Sequence, residues 1–279
     1  MLRLSTITSA NVSPAAPALE ATANRTKQII IFVVLAYALS WWPWLFYMND
    51  PGSVDAPILP IGPLIALITV AGIFGSWPAL RDLLRKVTLW RVGWQWYAVA
   101  LVFPVVVTVA AVLLNMLFGA SIVDSFSLPS APQLIVRFGF IFLWIGLGEE
   151  LGWRGFVLPR LLQGRSALVA ALILGVIHAV WHWPLLGVEY DFANILPWGI
   201  SVFCFSIVIC WIWLKTGGSV LMAMLMHASN NTIAVLWRMF EGGDQIHLWW
   251  IWCALWVAFA GAVVAINGIE LGRKEASSS

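Results

Sequence analysis

Eight mostly apolar stretches alternate with short polar segments along this chain. They run over about residues 28–48, 57–77, 96–118, 134–148, 167–186, 195–214, 219–237 and 247–266. A membrane helix needs about 20 predominantly apolar residues. The pattern therefore predicts an all-α polytopic membrane protein, a bundle of about eight transmembrane helices. The fourth stretch is short and runs straight into Gly148-Glu149-Glu150-Leu151-Gly152-Trp153-Arg154-Gly155. The seventh starts after Gly217-Gly218, a helix-breaking turn. Between the second and third, Leu80, Leu83, Leu84 and Val87 recur at helical spacing with Arg81, Arg85 and Lys86 among them. That spacing within 78–95 predicts an amphipathic helix lying on the membrane surface. Residues 1–27 are rich in Ala, Ser, Thr and Pro and lack an apolar leader, so they read as a disordered tail. The membrane domain is expected over 28–267, with a second tail over 268–279.

Composition agrees with the pattern. The chain is 61% hydrophobic and 10% charged, against roughly 25% charged in soluble domains, and its mean hydropathy is +0.90. A net charge of +2 gives no electrostatic footprint for nucleic acid. Position matters more than sum. With the N-terminus inside, Arg3, Arg25, Lys27, Arg81, Arg85, Lys86, Arg91, Arg154, Arg160, Arg165, Lys215, Arg273 and Lys274 all fall at cytoplasmic ends. Arg137 and Arg238 fall at outer ends, among Asp50, Asp55, Asp124, Glu189, Asp191, Glu241 and Asp244. This is the positive-inside distribution. It predicts a multi-pass protein of the plasma (inner) membrane with both termini cytoplasmic. Many of the 19 tryptophans cluster near span ends, as an aromatic belt requires. Cys204, Cys210 and Cys253 sit in apolar runs and read as core residues.

Three polar constellations interrupt the apolar runs. Carboxylates at membrane depth are costly and mark functional positions. Glu150 and Arg154 are four residues apart, so a helix places them on one face as an ion pair. Glu149 then points elsewhere without a local partner. His178 and His182 share a second helix face, and His227 and Asn231, beside Asn230, share a third. Polar faces must look into the bundle rather than into lipid, and three of them most economically converge on one polar cavity. With Glu149 placed at the inner end of the fourth span, that cavity is expected to face the cytoplasm, with Arg160 and Arg165 at its mouth. His247, at an outer end, reads as an interface residue. No Gly-x-Ser-x-Gly or cysteine nucleophile is present. Carboxylate and imidazole suit activation of water by a general base or through a divalent metal such as zinc. His227 and Asn231 suit stabilisation of an oxyanion.

On these residues the chain resembles the CAAX-protease and bacteriocin-processing family of intramembrane endopeptidases. The likeness covers about residues 80–240 and rests on three motifs: Glu149-Glu150-x-x-x-Arg154, a histidine at 178 or 182, and His227-x-x-x-Asn231. Trp181-His182-Trp183-Pro184 follows the form common among such relatives, which assigns the family histidine to His182 with His178 its neighbour. The resemblance implies an eight-helix core that cleaves a peptide bond of a membrane-associated peptide or protein. It implies that Glu149 and His182 activate water, that His227 and Asn231 stabilise the oxyanion, and that Glu150 and Arg154 hold the site. Both glutamate-dependent and metal-dependent chemistry are open, the metal ligands then being Glu149, His182 and His227. Two other readings compete: a non-catalytic immunity or scaffold protein of the same fold, and a proton-coupled transporter.

Overall fold

The computed structural model describes residues 15–50, 52, 56–75 and 77–273. Arg3, Asp55 and Lys274, and the tail segments 1–14 and 274–279, lie outside the described residues. Among the described residues, nine longer helical segments follow one another: α1 (Ala15–Asn49), α2 (Gly62–Ile73), α3 (Trp77–Val87), α4 (Trp94–Leu117), α5 (131–161), α6 (Ala167–Trp181), α7 (Ile195–Lys215), α8 (Val220–Ile233) and α9 (Gly242–Asn267). Among the described residues there is no strand, only a single bridge between Leu186 and Tyr190.

Each of the eight apolar stretches is helical, but they are not equal. Among the described residues, five helices are long and apolar enough to cross a membrane by length and composition: residues Thr22–Asn49 of α1, α4, Phe192–Lys215 around α7, Val220–Met239 around α8, and α9. At about 1.5 Å per residue, the 12-residue α2 and 15-residue α6 are shorter than the hydrocarbon core. The expected surface helix appears as α3, with Arg81 and Arg85 exposed and Leu83 buried.

Two boundaries differ from the sequence reading. Helix α1 starts at Ala15, inside the segment read as a tail, because Ala15, Ala16, Ala18, Ala21 and Ala23 are strong helix formers. At the other end Gly268–Arg273 folds back on the bundle: Leu168 N donates to Ile269 O at 2.8 Å, Arg273 Nη1 donates to Leu162 O at 2.9 Å, and Leu271 is fully buried.

Helix α5 organises the molecule. Ser130 and Gln133 form a capping box at its start. The helix then runs past Gly148 without a break, with π-helical turns over Ile141–Gly146 and Leu151–Val157 on either side of Leu147–Glu150. Such turns reset the direction of side chains and recur at functional sites. One face of α5 is small. A Cβ at Gly148 would meet the Pro60 carbonyl at 2.8 Å, and one at Gly152 would meet Phe32 at 2.8 Å and Pro63 at 2.9 Å. Glycine there lets the loop before α2, α2 itself and α1 press against the motif helix. The opposite face carries Glu149 and Glu150 into the bundle. Gly217 and Gly218, both at positive φ (67° and 88°), make the expected turn between α7 and α8.

Candidate active site

Helices α5, α6 and α8 bring all three constellations together. Glu149 Oε2 lies 3.0 Å from His178 Nε2, so the carboxylate that lacked a local partner finds one on α6. Glu150 Oε1 is 2.8 Å from Arg154 Nη1, the pair expected from their spacing, and also 2.7 Å from Nδ1 of His227 on α8. Glu149, Glu150 and Arg154 are 2%, 0% and 0% exposed. Adjacent residues on a helix diverge by about 100°, which is why Glu149 reaches α6 while its neighbour reaches α8.

Helix α6 stops at His182 because Trp183-Pro184 cannot continue it. Two of its last carbonyls accept from side chains. His182 Nδ1 lies 2.8 Å from His178 O, and Trp41 Nε1 of α1 donates to Trp181 O at 2.9 Å. A carbonyl only accepts, so His182 carries its proton on Nδ1 and, when neutral, leaves Nε2 with a free lone pair. The His178 and His182 rings stand 4.7 Å apart.

These groups stand at a cavity of about 930 Å³. His178, His182, His227 and Asn231 line it, while Glu149, Glu150 and Arg154 sit behind the wall. The sequence reading did not single out Tyr190 and Trp198, which also line it. Their rings are 5.1 Å apart and the His182 ring lies 6.4 Å from Tyr190. Tyr190 belongs to the loop after α6, where no periodicity could announce it.

The mouth differs from the expectation. The cavity is edged by Arg137, Glu189, Asp191 and Arg238, and not by Arg160 or Arg165. Arg160 bonds Gln28 Oε1 at 3.0 Å and stacks 3.6 Å over Phe156; Arg165 bonds Leu161 O at 3.4 Å. The reason is the length of α5. Because the helix continues past Gly148, eleven residues, or about 16 Å of rise, separate Glu149 from Arg160. The basic end and the cavity mouth are thus opposite ends of the bundle, and only one of them can face the cytoplasm.

One ligand atom each from Glu149, His178 and His182 lie within 4.8 Å of one another. Two imidazoles and a carboxylate are a donor set zinc accepts, so these residues fit a divalent metal. His178 takes the place in this group that the resemblance gave to His227, whose Nδ1 is bound to Glu150.

Comparison with known proteins points the same way. The family model for type II CAAX prenyl endopeptidases, Rce1-like, matches residues 131–233. CAAX prenyl protease 2 of Methanococcus maripaludis is 31% identical over 149 residues, covering 48% of this chain and 53% of that protein. The chain thus spans about half the length of the curated relative it matches. Residues 131–233 hold Glu149, His178, His182, His227 and Asn231 alike, and over that segment this chain is similar to the type II CAAX prenyl endopeptidases.

Proposed function

We propose that the protein is an intramembrane endopeptidase that hydrolyses a peptide bond of a membrane-associated peptide or protein. The observation that carries this reading is the buried Glu149–His178 pair, 3.0 Å apart, behind a cavity lined by His182, His227 and Asn231. Glu149 takes a proton from water as the oxygen attacks the scissile carbonyl. His178 holds the carboxylate in place, and Nε2 of His182 accepts the second hydrogen of the water. Negative charge develops on the carbonyl oxygen, where Asn231 Nδ2 and the protonated ring of His227 donate to it. Glu150 is the anion that permits His227 that charge, and Arg154 fixes Glu150 by a second charge-assisted bond. Glu149 then returns its proton to the leaving amine. One water is consumed; one carboxylate and one amine result. A divalent metal held by Glu149, His178 and His182 would supply Lewis acidity and a more acidic water.

The orientation follows from charge. Arg25 bonds Gln163 O and Arg273 bonds Leu162 O, which brings the start of α1, the end of α5 and the C-terminal segment to one basic end. Exposed Trp77, Trp90 and Trp94 ring that end, and Trp42, Trp183 and Trp250 ring the other. Basic loops stay in the cytoplasm, so both termini face it and the cavity is reached from the opposite side. A peptide presented outside the cytoplasm, or from within the bilayer, is therefore the substrate.

The test is cleavage of a quenched fluorescent peptide library, with free and prenylated members, by the purified protein in liposomes. New peptide carboxyl termini appearing with wild type and absent with Glu149→Ala support the reading. An intact library with well-folded wild type counts against it.

A further inference from the structure

Helix α1 lies outside the residues that the family model matches, yet two of its side chains reach the histidine helix. Tyr37 Oη donates to Ile177 O at 2.5 Å, and Trp41 Nε1 donates to Trp181 O at 2.9 Å. The two rings stack at 4.8 Å. Donors and acceptors alike are four residues apart, a rise of about 6 Å on each helix, so the bonds are parallel rungs between α1 and α6. The Ile177 carbonyl belongs to the peptide unit that leads into His178, and the Trp181 carbonyl to the one that leads into His182. A peptide unit is planar and stiff, so holding its oxygen fixes the direction in which the next residue leaves it. In a continuing helix Leu185 N would bond Trp181 O, but it bonds His182 O at 2.9 Å instead, which leaves that oxygen to Trp41. One rung would let α6 pivot about it; two fix its rotation and its register.

The same helix grips α5. Phe32 packs edge-on against Trp153 at 5.4 Å and lies 5.1 Å from Phe156. Trp153 stands one turn beyond Glu149, and its ring is 5.6 Å from that of His178 and 6.0 Å from that of Trp181. Helix α1 thus touches both helices whose relative rotation sets the 3.0 Å contact of Glu149 with His178. Among the described residues that line the cavity, neither Tyr37 nor Trp41 appears, so the two act on the chemistry through α6 and not on the substrate. We infer that Tyr37 and Trp41 are positioning residues: they set the rotation of α6, and through it the Glu149–His178 contact and the aim of His182 Nε2. The consequence for rate rests on the endopeptidase reading; the consequence for geometry does not.

The test uses full-length protein in nanodiscs with its four histidines labelled with ¹⁵N, the ring signals being assigned by replacing each histidine in turn. Tyr37→Phe removes a hydroxyl and keeps the stacked ring; Trp41→Phe removes the indole N–H. Asn115→Ala is the control, because it breaks a bond of the same kind, from Asn115 Nδ2 to Asp244 O, between α4 and α9. The His178 signal is expected to move from the position of a carboxylate-bonded ring toward that of an unbonded one, part of the way in Tyr37→Phe and further in Tyr37→Phe with Trp41→Phe, and to stay in place in Asn115→Ala. In cleavage, kcat is expected to fall by about 10- to 100-fold in the double variant with KM unchanged. If the double variant does not fold, Tyr37→Phe alone decides. An unmoved His178 signal, a control that moves it as far, or turnover at the wild-type rate from protein with a displaced signal would overturn the proposal. A displaced signal in a protein whose wild type cleaves no peptide would support the positioning role and tell against the endopeptidase reading alone.

Discussion

At the scale of single residues, the two glutamates of one motif do different work. Glu150 is tied on both sides, to Arg154 and to His227, with every partner buried. Replacing it with Ala leaves a buried guanidinium without its anion, a loss of about 3–5 kcal/mol. A fall in melting temperature in detergent, with loss of folded yield, checks this; an unchanged melt would not fit. Glu149→Gln differs. It keeps the shape and a hydrogen bond to His178, so the fold is expected to persist while any general-base activity falls by about 10²–10⁴-fold. The donor set makes a third prediction: added Zn²⁺ raises the melting temperature of wild type but not of His178→Ala with His182→Ala. Equal response in both would disqualify the three-ligand group. The spacing of Glu150 and Arg154, of His178 and His182, and of His227 and Asn231 was legible in sequence because i,i+4 geometry is local. The pairing of Glu149 with His178, 29 residues away, was not, since only packing of α5 on α6 decides which histidine the carboxylate meets.

At the scale of elements, the glycines of α5 explain why the motif reads as it does. Gly148 and Gly152 face the neighbouring segment and helices at contact distances that exclude a Cβ, while the carboxylates point into the bundle, behind the histidines that line the cavity. Gly152→Ala is expected to force Phe32 and Pro63 apart and to cost about 1–3 kcal/mol as overpacking. Thermal unfolding reads the cost, and a variant as stable as wild type would mean that α1 and α2 yield freely. Hydropathy marked stretches that each contain a helix, five of them long and apolar enough among the described residues to cross a membrane, but it stopped α5 at Gly148, where charge begins. In fact Leu151, Trp153, Phe156, Val157 and Leu158 carry the helix onward as buried core. That single boundary misplaced Arg160 and Arg165 at the cavity mouth. It also hid Arg137, which the same helix carries to the other end.

At the scale of the whole molecule, the basic end and the cavity mouth are opposite poles. The three native cysteines are buried, so an introduced surface cysteine is read against a low background. Glu189→Cys should react with a membrane-impermeant maleimide in intact cells, and Arg165→Cys only after the cells are opened. The reverse pattern would invert the orientation argued from charge and bring the cavity to the cytoplasm. Charge along the sequence predicted which loops share a side, and the contacts of Arg25 with Gln163 and of Arg273 with Leu162 agree with that grouping. It set the cavity mouth at the basic end beside Arg160 and Arg165, which do not line it, because the placement of the mouth depends on the depth of Glu149 within α5.

The measurement that bears most directly on the account is the cleavage rate of one peptide by wild type and by Glu149→Gln, in the same liposomes and at matched thermal stability. The account predicts turnover by wild type and a loss of two orders of magnitude or more in the variant, with the melting curves superimposed. Comparable rates in the two proteins would show that the Glu149 carboxylate does not activate the water, and the proposed chemistry of this site would fall.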